Sequence, residues 1–209
     1  MNMNISLTGS DAARRNLGFL SVTETIALAD GGIIIPAPET VLISPGIVLK
    51  EGIVLWPGVV LQRLGRGDLL VGAGTSLFPG TRIVAYGGLI TIGPNVEVGE
   101  EGGFTMKAGN GEAIEIGAGA RLLGGGSLTS SNQIGGGSQI LGPIRCQNCR
   151  LGDGGTYRDP DPDSRGGVLK GTGVARDLEV PQGHVIQAFG LFKDAPLRRQ
   201  SFFHPPVKG

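Results

Sequence analysis

Two histidines, two cysteines and one charged loop are where this sequence can do chemistry. Transfer of an acyl group to an amine or hydroxyl needs a general base within hydrogen-bond reach of the nucleophile, and histidine is the usual one. His184 lies in Pro181-Gln182-Gly183-His184. It is the candidate catalytic base if it faces a groove between subunits; otherwise it is a surface histidine on a turn. His204 precedes Pro205-Pro206 in a terminal tail and is read as a tail residue.

Tyr157, Arg158, Asp159, Asp161, Asp163 and Arg165 cluster in one stretch, with Lys170 just beyond. An aromatic ring among cations suits a phosphate or a sugar, which makes Tyr157, Arg158, Asp159, Arg165 and Lys170 the candidate substrate-binding residues. The competing reading is a solvated loop stiffened by prolines. Calcium fits less well, because the EF-hand glycine and terminal glutamate are missing. Cys146-Gln147-Asn148-Cys149 has CxxC spacing. Zinc would need two more ligands, and no second cysteine or histidine pair exists. Redox motifs of this spacing sit at a helix start, which is not expected here. Cys146 reads as core, and no metal site is expected.

These groups must be positioned by 209 residues, enough for one full-sized domain. Eighteen basic and eighteen acidic residues leave no net charge. Without a broad basic field, neither nucleic acid nor an anionic membrane is an expected partner. Two cysteines are too few for a disulfide-stapled secreted fold. Met1 to Asn16 has no apolar signal-peptide core, and Ile33-Ile34-Ile35 stops at Pro36, far short of a membrane span. A soluble, cytoplasmic protein is the expectation. Glycine is the outlier, at 39 residues. It does not recur at every third position, so collagen is excluded, and a mean hydropathy of +0.12 argues against disorder. Periodic turns remain.

The period is six. Ile43, Leu49, Leu55 and Leu61 form one apolar row; Ile47, Ile53 and Val59 form a second. Later registers run through Val71, Leu77, Ile83 and Leu89, then Ile92, Val98 and Phe104, then Ile116, Leu122, Leu128, Ile134, Ile140 and Cys146. This is a hexapeptide solenoid: one short strand and one turn per hexad, three hexads closing a triangular coil of roughly 18 residues. The apolar residue points inward, and the small residue beside it lets the backbone turn. Three stretches break the register: Gln62 to Leu70, Thr105 to Glu115 and Gly152 to Gly167. Each is expected to be a loop pushed out at a corner, where binding groups often sit.

The ends of such a coil expose open strand edges that need covering. A helical segment is expected over residues 10–30, with Ser10 or Asp11 capping a first turn, Ser21 and Glu24 forming a capping box, and Gly31-Gly32 ending it. We divide the chain into an N-terminal capping segment (1–36), a repeat domain (37–173, with the loop 152–167) and a C-terminal capping segment and tail (174–209).

Several pieces carry a family resemblance. Ala37 to Gly46 (APETVLISPG), Leu55 to Leu61 (LWPGVVL), Ile92 to Val98 (IGPNVEV) and Asp177 to Gly183 (DLEVPQG) are similar to segments of the hexapeptide-repeat acyltransferases. They resemble most the acetyltransferase half of bifunctional N-acetylglucosamine-1-phosphate uridyltransferases. The resemblance spreads over residues 30–190. It implies an all-β fold, a left-handed parallel β-helix, a homotrimer with sites between subunits, and acetyl-CoA as acyl donor to a sugar or sugar-nucleotide acceptor. The family pattern is also broken. Phe78 stands where the family has an arginine for the sugar phosphate, Gly99 stands where it has a lysine, and its His-Leu-x-Tyr strand has no counterpart. The alternative is therefore a catalytically degenerate β-helix that binds a ligand or serves as a scaffold.

Overall fold

A computed structural model describes residues 3–204; Met1, Asn2, Pro205-Pro206 and the last three residues lie outside the described residues. The chain is mostly β, and its strands are stacked in parallel, as in a β-solenoid. A hexad leaves room for only a short strand. Leu42–Ile43, Val48–Leu49 and Val54–Leu55 are the first three, one on each side of a triangular coil. The next turn lays Val60 beside Leu42 and Leu61 beside Ile43. Repetition builds three faces, and the inward residue of each strand stacks on its counterpart below.

The first face carries Ile43, Leu61, Ile83, Met106, Leu128, Cys146 and Ala175 in one inward column. The second carries Leu49, Val71, Ile92, Ile116, Ile134, Leu151 and Val180. The third carries Leu55, Leu77, Val98, Leu122, Ile140, Leu169 and Ile186. All but the half-buried Leu49 are buried, and together they make one continuous core. Each buried aliphatic side chain of this kind contributes roughly 1.5–3 kcal/mol. A hexad row of the sequence thus winds round the three columns in turn, as Ile43, Leu49 and Leu55 do, whereas Leu89, which the same period marked as inward, is exposed at the start of its strand.

Two expected loops are not loops. Gln62 to Leu70 lies mostly in the strands Val60–Leu64 and Asp68–Val71, and Thr105 to Glu115 mostly in Thr105–Ala108 and Ala113–Ile116. Arg82–Tyr86 and Leu89–Ile92 lie between them. The same corner is therefore lengthened in three successive coils. Leu64 pairs with Tyr86, Ala85 with Ala108, and Leu89 with both Asp68 and Ala113. An insertion made once must be extruded; made three times running, it hydrogen-bonds to itself and stays in the sheet.

Helices occupy the N-terminal end. Met3–Asn16 already contains both Ser10 and Asp11, so the helix begins earlier than the expected cap. Asp11 instead accepts the Val22 amide (2.8 Å) at the start of the second helix, Val22–Ala27. Ser21 and Glu24 form the expected capping box there, and Gly32 takes the left-handed conformation at the end of the 3-10 turn Leu28–Gly31. Arg14 is buried and donates to the carbonyls of Leu20 (2.8 Å), Glu39 (3.3 Å) and Val41. At the other end the strand Val168–Arg176 runs straight through the third and first faces, pairing with Gln139–Leu141 and then with Ile144–Gln147. His184–Leu191 lies along it, and Leu197–Arg199 returns antiparallel against His184–Ile186. Among the described residues no helix is long and apolar enough to cross a membrane.

Candidate functional site

The third face carries a second, outward column beside its aliphatic one. Glu97, Arg121, Gln139, Val168 and Val185 are successive register partners, and Leu141 is followed by Lys170. Two segments lie over this column near the C-terminal end. One is the loop after Leu151, which brings Tyr157 and Arg165; the other is the terminal turn, which brings Gln200, Phe203 and His204. They enclose a cleft of about 270 Å³ floored by Gln139, Leu141, Val168 and Lys170. No aspartate or glutamate lines it, whereas Arg121, Arg165 and Lys170 all do.

Each cation is held differently. The Arg121 guanidinium reaches Glu97 (2.7 Å) and Glu100 (3.8 Å) and stacks on the Tyr157 ring at 4.1 Å, so its charge is shared out before any ligand arrives. Arg165 donates Nε and Nη2 to the Asp159 carbonyl (2.9 and 2.6 Å), which satisfies two donors, and it makes no ion pair among the described residues. Lys170 is exposed and makes no ion pair among the described residues. It is the cation best placed to meet an incoming anion.

The structure brings together three of the residues singled out from sequence, Tyr157, Arg165 and Lys170. Arg158 is exposed, its guanidinium 4.9 Å from the Tyr157 ring centre, and is not part of the lining. Asp159 builds the loop: its Oδ1 accepts the Asp161 amide (3.0 Å) and its carbonyl holds Arg165. His184 is also outside the lining. Its Nδ1 donates to the Gln182 carbonyl (2.7 Å), since a carbonyl can only accept. The histidine that does line the cleft is His204. Arg121, Gln139 and Gln200 are further lining residues that sequence reasoning missed. Arg121 and Gln139 were recoverable, because each directly precedes an inward aliphatic residue, Leu122 or Ile140, in adjacent coils.

The loop and the terminal turn are tied to each other. Asp163 accepts the Ser201 amide (3.0 Å) and hydroxyl (2.9 Å), and Gln200 donates to the Gly166 carbonyl (2.7 Å). The Ser201 amide, with lesser help from the Ser201 hydroxyl, Arg199 and His184, holds the Asp163 carboxyl below its usual 3.8. A lowered carboxyl stabilises the folded arrangement fully above its unfolded value and loses that contribution as pH falls through its folded value. We expect the protection of the Ser201 amide against deuterium exchange, taken relative to the intrinsic rate at each pH, to be present near neutrality and lost at acid pH below 3.8, and to be absent at both in Asp163→Ala. An exchange rate in that variant equal to wild type near neutrality would contradict the tie.

No family model and no curated protein matches the chain. Among the described residues no three His, Cys, Asp or Glu side chains gather as metal ligands do.

Proposed function

We propose that this protein is a ligand-binding β-solenoid of the hexapeptide-repeat type, whose C-terminal cleft takes a small anionic, sugar-like molecule. One observation carries the reading: three cations and a tyrosine ring line a cleft that holds no carboxylate. A phosphate would meet Lys170 and Arg165, and a sugar ring would lie against Tyr157 and Phe203. Charge-assisted hydrogen bonds of this kind are the strong ones. The volume suits a sugar phosphate or part of a larger ligand. The same reading takes the coil as left-handed. Arg14 and the helices close one end and the terminal turn closes the other. The chains associate as a homotrimer, as the resemblance implies. Two free cysteines suit the reducing cytoplasm.

A second reading, acyl transfer from acetyl-CoA, is favoured by His204, the one imidazole in the cleft. It replaces His184 as the general base of that reading, because His184 stands outside the cleft.

Calorimetric titration with a hexose phosphate, the parent hexose and inorganic phosphate tests the first reading. We expect saturable binding of the hexose phosphate, none of the hexose, and a loss of about tenfold in Lys170→Ala, the equivalent of one charge-assisted hydrogen bond. No heat from any of the three at millimolar concentration would end it. Thiol release from acetyl-CoA in the presence of a bound sugar phosphate, abolished in His204→Ala, would establish the second; its absence would leave binding alone.

A further inference from the structure

Cys146 and Cys149 take no part in the cleft. They flank a corner between the first and second faces: Cys146 in the strand Ile144–Gln147, Cys149 immediately before Arg150–Leu151. Asn148 between them has a φ of 51°, which turns the chain sharply. Both side chains point into the same core cluster, and neither is in a disulfide. Cys146 is the register partner of Ala175, and the Cys149 sulfur lies 3.4 Å from the Ala175 carbonyl. The two cysteines thus adjoin the same residue of the next coil. They also act on each other. A hydrogen bond from Cys146 holds the Cys149 thiol at about 7 against the opposing effect of burial, while Cys146 is pushed well above its usual value.

The pair is asymmetric in access as well. Cys149, itself only 2% exposed, borders a shallow surface groove together with Asn132, Asn148 and Arg150; Cys146 lies behind it, fully buried, and does not. A reactive cysteine is recognised by thiolate character, access and a cation nearby, with a resolving thiol within reach. Here a second thiol and Arg150 meet Cys149 at one corner, and the groove gives a small peroxide the one approach to its sulfur.

We propose that Cys149 is a peroxide-reactive thiol and Cys146 its resolving partner, so that the folded protein closes a Cys146–Cys149 disulfide when it meets hydrogen peroxide or an organic hydroperoxide. In the first step the Cys149 thiolate attacks the peroxide. An S–O bond forms, the O–O bond breaks, and the leaving hydroxide (or alkoxide) takes a proton. In the second step the Cys146 sulfur attacks the sulfenic sulfur of Cys149. An S–S bond forms, the S–O bond breaks, and hydroxide leaves with the Cys146 proton as water. Two thiols and one hydrogen peroxide become one disulfide and two waters; the cysteines are oxidised by two electrons and the peroxide is reduced. The proposal is independent of the ligand cleft.

The test is peroxide treatment of the reduced full-length chain near neutral pH, followed by intact mass and thiol alkylation under denaturing conditions. The expected product is monomeric and about 2 Da lighter, and both alkylation sites are lost together. Cys146→Ser is expected to accumulate a sulfenic acid on Cys149 that dimedone captures, and Cys149→Ser to stay unoxidised. Two thiols still alkylated after peroxide would overturn the proposal. So would oxygen added to Cys149 with Cys146 still free, or a disulfide that forms only after unfolding in urea. The wild-type readouts decide the matter even if a serine variant fails to fold.

Discussion

Replacing Arg14 by alanine is expected to destabilise the protein by about 3–5 kcal/mol, among the largest losses available from a single polar side chain. The side chain is 6% exposed. Its guanidinium donates to the carbonyls of Leu20, Pro38, Glu39 and Val41 and to the Thr25 hydroxyl. Those acceptors belong to the first coil and to the helical segment lying against it. Alanine would leave several buried carbonyls without a donor, and each orphaned group costs about 1–3 kcal/mol. Lysine keeps the charge but not the planar fork, so Arg14→Lys should recover less than half of the loss. Arg15 is the internal control. Its only ion pair among the described residues, with Glu24 at 3.6 Å, is exposed on both sides, and such pairs are worth about 1 kcal/mol at most. Urea unfolding of the three variants measures the difference. If Arg14→Ala fell within about 1 kcal/mol of Arg15→Ala, Arg14 would not be joining the helices to the coil.

The neighbouring arginines also show where sequence reading stops. Nothing in Arg14-Arg15 says which side chain turns inward, because the hexad rhythm has not yet begun there. Where it has begun, legibility is high. Ile43, Leu61 and Ile83 were recognisable as inward residues because period six admits one inward aliphatic per strand, and the structure stacks them in that order. The extended corners were misread for a specific reason. Gln62 to Leu70 breaks the hexads when read alone. Its partners lie one coil later, at Val84 to Thr91. Only a comparison at a spacing of about 22 residues, rather than six, exposes three insertions that pair with one another.

The cleft was half legible. Tyr157, Arg165 and Lys170 stood out because aromatic and cationic residues are scarce in a repeat of Val, Ile, Leu and Gly. Arg121 and His204 did not, since both reach the cleft through tertiary structure. Arg121 arrives by stacking of coils, and His204 by the fold-back of Leu197–Arg199 onto His184–Ile186. A histidine beside Pro205-Pro206 reads as tail until Gln200 is seen buried and bonded to Gly166.

The glycine excess has a similar explanation, and it yields the second large effect. Gly142→Ala is expected to cost about 3 kcal/mol or more. Gly142 has a φ of 119°, and a Cβ built there would lie 2.0 Å from the Gly171 carbonyl oxygen one coil on. A Cβ on Gly171 would in turn lie 2.0 Å from the Ala188 carbonyl oxygen. Gly171 pairs with Ala188. At these two positions glycine stands where the next coil covers the corner, and a methyl group appears at Ala188, on the last parallel strand. Stacked strands are held about 4.8 Å apart by their hydrogen bonds, so the coil above cannot move away without breaking several of them. Gly111→Ala separates this effect from backbone strain. Gly111 also has positive φ, 74°, but a Cβ there meets nothing within 4 Å. Its cost should be the left-handed penalty alone, about 1–2 kcal/mol. Gly142 lies between Gln139–Leu141 and Ile144–Gln147, beside the floor of the cleft, so on the proposed function Gly142→Ala should also lose the expected hexose phosphate binding while Gly111→Ala keeps it. Equal costs in urea for the two variants would mean that φ, and not the stacking of coils, is what demands glycine at this corner.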